Sequence, residues 1–156
     1  MIPWEALASA KVPGSGEVLS LHRRGKEFLI KVDGSLLMNS LTHASEDALA
    51  TIACGSIRCV RGPSGLIGGL GMGYTLAAAL GRLRPNARVF VAELLPAVVE
   101  WNRGPISHLA GHPLRDKRVT VLEKDIALIL RTERNAYDAI LQDVDNGPEG
   151  LTMKAN

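Results

Sequence analysis

From Gly65 onward the chain alternates short apolar runs with helical stretches, and this alternation restricts the possible folds more than any other feature. Gly65-Leu-Ile-Gly68 reads as the end of a strand, and Tyr74 to Leu83 as a helix stopped by Pro85. Arg88–Glu93, Arg118–Leu122 and Asp138–Asp143 read as further strands, with helices over Pro96–Asn102 and Ile126–Glu133 between them. Strands that alternate with helices connect by right-handed crossovers, which makes the sheet parallel and covers both of its faces. The expected class is α/β, a Rossmann-like doubly wound parallel sheet.

Ahead of it the pattern differs. Glu17–His22, Glu27–Val32 and Ser35–Asn39 are short strand-like runs separated by Arg24-Gly25-Lys26 and by Asp33-Gly34, a strong tight-turn signal. They predict a small antiparallel meander. Ser45 followed by Glu46 and Asp47 predicts a helix start with Ser45 as N-cap and acids in the first turn, the helix running to about Ala53. The expected organisation is a meander region over 1–44 and the parallel-sheet domain over 45–156.

Composition narrows the function. Eighteen basic against 16 acidic residues leaves a net charge of +2, and aromatics are only 4%. Neither a basic face nor stacking rings mark a nucleic-acid binder. No apolar run approaches the roughly 20 residues that cross a bilayer, and the start has no secretory pattern. A cytoplasmic protein acting on a small molecule is the expectation. Cys54 and Cys59, with no second pair, read as buried thiols. His108 and His112 have a metal-compatible spacing, but Gly111 intervenes and no third ligand is evident. No metal is expected.

The chemistry concentrates at strand ends. Gly68-Gly69-Leu70-Gly71-Met72-Gly73 joins the first strand to its helix, where glycines permit a sharp turn and a close ligand approach. Tight packing alone would also account for them. Glu93 ends the next strand 20 residues after Gly73, where a carboxylate can accept hydrogen bonds from both ribose hydroxyls. A dinucleotide fingerprint would need glycine where Tyr74 stands, and a P-loop would need a lysine the turn lacks. The compact turn suits a nucleoside without pyrophosphate, of the S-adenosylmethionine kind. Asp125, after the third strand, either meets an adenine amino group or caps the helix that begins at Ile126. Asp143, at the end of the fourth strand, either takes a proton from an attacking amine or binds a cationic substrate. Asp145-Asn146-Gly147-Pro148 reads equally as site or turn.

Three segments together resemble the class I S-adenosylmethionine-dependent methyltransferase fold: Leu66 to Gly73, Val91 to Glu100 and Tyr137 to Asp143. Within it they look most like the spermidine synthase (polyamine aminopropyltransferase) group, and the amino-terminal meander is similar to that group's small β-domain. The resemblance implies S-adenosylmethionine or its decarboxylated form as cofactor. It implies Gly68, Gly69, Leu70, Gly71 and Gly73, Glu93 with Leu94, and Asp125 with Ile126 as the cofactor-binding set, and Asp143 as the catalytic acid–base. The group's glycine turn carries an aspartate where this chain has Gly71, and its second acid after the second strand is here Leu95. The nucleoside half of the signature is kept and the polyamine half is largely lost. The implied fold runs on for three more strands, so the chain reads as C-terminally truncated. The edge of Asp138–Asp143 is then expected to pair in a homodimer or lie under the amino-terminal hairpin. The expected function is methyl or aminopropyl transfer to a small amine-bearing acceptor. The alternative is an inactive nucleoside-binding or scaffold protein.

Overall fold

The computed structural model describes residues 1–143, which form two compact units, 1–42 and 43–143. The first is a four-stranded antiparallel sheet in sequential order: β1 (Glu5–Lys11), β2 (Val18–Arg24), β3 (Glu27–Val32) and β4 (Ser35–Asn39). The β3–β4 hairpin closes on Asp33-Gly34, both at positive φ (45° and 82°), the geometry of the two-residue turn whose twist matches that of the strands. The Asp33 carboxylate also accepts from the Val18 amide at 2.8 Å, tying this turn to the start of β2. Leu19, Leu21, Phe28, Ile30 and Val32 point to one face and are buried, as a period of two requires.

Strand β1 was not expected. Its sequence, Glu-Ala-Leu-Ala-Ser-Ala-Lys, is rich in alanine, which favours helix, and it becomes a strand by pairing with β2 and through the Arg23–Glu5 ion pair at 2.8 Å.

The second unit begins with α1 (Ala44–Ser56), followed by β5 (Ser64–Gly68), α2 (Tyr74–Arg82), β6 (Arg88–Ala92), α3 (Pro96–Arg103), β7 (Val119–Leu122), α4 (Ile126–Thr132) and β8 (Ala139–Gln142). Ser45 is not the N-cap of α1. His43 takes that position without a side-chain cap bond, and the Ser45 hydroxyl turns to Glu46. The strands form a parallel sheet in the order β7-β6-β5-β8. The chain lays β6 and β7 to one side of β5, then crosses to the other for β8. Strand order therefore reverses between β5 and β8, and ligands of such sheets bind beyond the carboxyl ends at that reversal.

β5 is buried along its whole length. Leu66, with Ala92 of β6, packs on Ile126 and Ile129 of α4, and Phe90, Leu122 and Tyr137 close the cluster. Ile67, on the opposite face, is 1% exposed, so the sheet is covered on both sides. Arg118 locks the amino end of β7 to the carboxyl end of α2, donating to the carbonyls of Leu80, Leu83 and Arg84 and to Asp116. Cys54 is buried and Cys59 exposed, so only one of the two thiols is a core residue, and they are not bonded to each other. No helix among the described residues is long and apolar enough to cross a membrane.

Candidate functional site

The glycine turn leaves the carboxyl end of β5 with three left-handed residues, Gly69 (φ 92°), Gly71 (φ 54°) and Gly73 (φ 85°). Alternation of these with Leu70 and Met72 sends both larger side chains into the core, while Gly69 and Gly71 stay half-buried. The turn's accessible surface is thus mostly backbone. The turn is held at both ends. Gly69 donates to the Ala92 carbonyl of β6 at 2.8 Å, and Gly73 donates back to Leu70.

Gly68 and Gly73 have packing reasons of their own. A methyl at Gly68 would collide with Ile126 Cδ1, and one at Gly73 would lie 3.1 Å from both Asn102 Oδ1 and Pro113 Cγ. Their missing side chains make room for the protein. Gly69 and Gly71 are the members of the turn that a ligand could approach.

Glu93 follows β6 directly, its amide continuing the sheet by donating to Leu122 at 2.9 Å. The residue is only 7% exposed. One carboxylate oxygen accepts from the Leu70 amide and the other from the Leu95 amide, each at 2.9 Å. The side chain is a clamp between the glycine turn and the β6–α3 loop. Burial raises its pKa above the ordinary 4.5, and backbone donors at Leu95, Leu70, Gly71 and Leu94 oppose that rise. Amides of the glycine turn and of the β6–α3 loop thus converge on this carboxylate and fix its orientation at the end of β6. A carboxylate held there is an acceptor for a sugar hydroxyl, and the neighbouring Leu94 is half-buried.

Asp125 caps α4: its Oδ1 accepts from the Ala127 amide at 2.8 Å. Of the two roles its sequence position allowed, the structure displays the capping one, while Ile126 is buried against β5. Asp143 sits one residue past β8, across the strand reversal from the glycine turn. Its amide donates to the Gly68 carbonyl at 2.8 Å, and one carboxylate oxygen accepts from the Thr75 hydroxyl at 2.5 Å. The structure therefore sets the glycine turn, Glu93 and Asp143 along the carboxyl ends of β5, β6 and β8, with Asp125 at the end of β7. Asp145 to Pro148 lie outside the described residues.

Two residues that build the site escaped the sequence reading. Asn102 is 2% exposed and donates to the Gly71 carbonyl at 2.7 Å and to Val98 at 2.9 Å, so α3 braces the turn. The signal was present: an asparagine continuing the apolar stripe of Val98, Val99 and Trp101 is a buried polar group in need of partners. Thr75, 2% exposed in the first turn of α2, is the other. Beside it Tyr74 stacks on His43, ring centroids 4.3 Å apart at 15°. This gives both rings a contact within the protein, and the His43 ring also lies 3.3 Å from Asp47. Among the described residues no three His, Cys, Asp or Glu side chains converge as a metal site would need. The recess of about 490 Å³ lined by Leu80, Pro85 and Arg118 is at the other end of the sheet, beside the start of β7.

No protein-family model matches the sequence, and no curated protein matches it. Solved structures do match. Spermidine synthase from Thermotoga maritima superposes with a TM-score of 0.71 at 18% identity, over 88% of this chain and 47% of that one. A spermidine synthase in complex with the transition state analogue AdoDATO gives the same values. The chain spans about half the length of these proteins, and at such identity the likeness is one of fold. With the strand order, the glycine turn and the antiparallel unit all in place, the chain has the spermidine synthase-like form of the class I methyltransferase fold.

Proposed function

We propose that the chain binds an S-adenosyl compound at the carboxyl ends of its parallel strands and serves transfer of a methyl or aminopropyl group to a small amine-bearing acceptor. The observation that carries this reading is the Glu93 clamp: a buried carboxylate at the end of β6, oriented by the backbone of the glycine turn, where a ribose hydroxyl would find an acceptor. Gly69, Leu70 and Gly71 would lie along the amino-acid portion, Glu93 and Leu94 along the ribose, and Asp125 and Ile126 beside the adenine. Such a ligand supplies a carbon made electrophilic by its bond to a positive sulfonium sulfur. The protein's part would be to hold the acceptor in line with that carbon, with Asp143 removing the acceptor's proton. Gly71 stands where an acid would grip the free amine end of a decarboxylated cofactor, which favours methyl transfer over aminopropyl transfer.

A second reading, a nucleoside-binding protein without catalysis, draws support from Asp125, whose carboxylate caps its own helix, and from the absence of an acid at Gly71 and Leu95. Calorimetric titration with S-adenosylmethionine, its decarboxylated form, S-adenosylhomocysteine and NAD separates the readings. Binding of an adenosyl-sulfur compound with turnover of an amine acceptor supports the transferase. Binding without turnover supports the second reading, and preference for NAD removes both.

A further inference from the structure

Asp143 is reached by a side chain 68 positions earlier in the chain. The Thr75 hydroxyl, on the first turn of α2, donates to Asp143 Oδ2 at 2.5 Å. Thr75 is 2% exposed, so its hydroxyl is confined to partners within the protein. A β-branched residue in a helix also has restricted χ1, which narrows the directions the hydroxyl can take. The Asp143 main chain is anchored too, through its amide to Gly68. Backbone and side chain of this aspartate are thus tied to the two elements that flank the glycine turn, β5 and α2. The helix that carries Thr75 is itself fixed at its first residue, where Tyr74 stacks on His43.

We infer that Thr75 is a positioning residue, which orients the Asp143 carboxylate across the strand reversal and keeps it in the ionised form that accepts a proton from the acceptor. A hydroxyl donates to a carboxylate more strongly than to a neutral carboxyl, so the bond favours the charged state. It also selects one rotamer of a residue at a strand end. The inference rests on the transferase reading for its catalytic meaning, while the Thr75–Asp143 bond stands on geometry alone.

The test compares the whole chain with Thr75→Val, which keeps shape and removes the donor, and Thr75→Ser, which keeps the donor. The Asp143 carboxyl carbon is titrated by NMR, and transfer from S-adenosylmethionine to a panel of primary amines is followed as a function of pH. Thr75→Val is expected to move the Asp143 titration to higher pH. It should also lower kcat about tenfold near neutrality without changing the KM for S-adenosylmethionine, and displace the acid limb of the rate profile upward. Thr75→Ser should restore the titration and the profile. An Asp143 titration identical in Thr75→Val and the parent overturns the inference, as does a titration that moves while the rate profile of an active enzyme stays put. If the parent binds no adenosyl-sulfur compound, the transferase reading fails and the catalytic role with it. The NMR titration then still decides whether Thr75 holds Asp143.

Discussion

The contact between Gly68 and Ile126 can be tested to a number. A methyl added at Gly68 lies in collision with Ile126 Cδ1, 3.3 Å from Cγ1 and 3.5 Å from Cβ, so a single terminal carbon makes the conflict. Gly68 is not at positive φ, and its backbone accepts alanine. Reduced freedom of the unfolded chain would by itself stabilise Gly68→Ala by about 0.4–1 kcal/mol. Overpacking a core 8% exposed at Ile126 costs about 1–3 kcal/mol, so a net loss of about 1–2 kcal/mol is expected. Ile126→Val removes Cδ1 and costs about 1 kcal/mol alone. In the double variant the new methyl occupies the space that Cδ1 leaves, and stability should return to within about 1 kcal/mol of the parent. The coupling is therefore about 1.5 kcal/mol in favour of the pair. Urea unfolding read by Trp101 fluorescence in a Trp4→Phe background measures all four chains. Additivity within about 0.5 kcal/mol would show that Gly68 is not a glycine on account of Ile126, and would return it to the ligand-approach role.

Glu93→Gln sets an amide NH₂ against backbone N–H donors that hold the carboxylate, at a cost of about 1–3 kcal/mol of stability, with weaker adenosyl binding by calorimetry. Since the folded chain holds the Glu93 proton more tightly than the unfolded chain, the stability owed to this group is complete below the ordinary value of 4.5 and declines as pH rises through the raised one. Ribose hydroxyls favour the ionised form, so binding should release a proton in acidic buffer, detected as a dependence of calorimetric heat on buffer ionisation enthalpy. Asp116 has the opposite sign. Its bonds to Arg118 hold it at about 2, so its contribution is present above the ordinary 3.8 and is lost as pH falls toward 2. Asp116→Asn should cost roughly 1 kcal/mol at neutral pH, solvent screening included, and the difference from the parent should shrink in acid melts. Asn102→Ala strands the Gly71 carbonyl and should cost about 1–2 kcal/mol, with faster amide exchange across residues 69–73. The β8 edge opposite β5 has no strand beside it among the described residues, and Ile140 is 48% exposed. A concentration-dependent dimer in sedimentation, with β8 amides protected from exchange, is the expected outcome of the pairing proposed for it.

Several features were legible in the linear chain because their causes are local. The switch in apolar period at Gly65 reports the change from an antiparallel to a parallel sheet, since each layer imposes its own spacing of buried side chains. Asp33-Gly34 forms its turn because two left-handed residues in a row admit few other pairs. The glycine turn and Glu93 are separated by one helix and one strand, so their meeting follows from the length of a single crossover. Tertiary structure decided what depends on distant partners. Strand β1 has the composition of a helix and owes its extension to the neighbouring β2. Gly68 is a glycine for a side chain, Ile126, that lies more than 50 positions away, and Gly73, left-handed in any case, also has Asn102 packed against it. Arg118 reaches three carbonyls of the α2 end, and Thr75 meets Asp143 only because the chain crosses β5 before laying down β8. A hydrogen bond is short-ranged, so residues that share no local period are brought within its reach by topology alone.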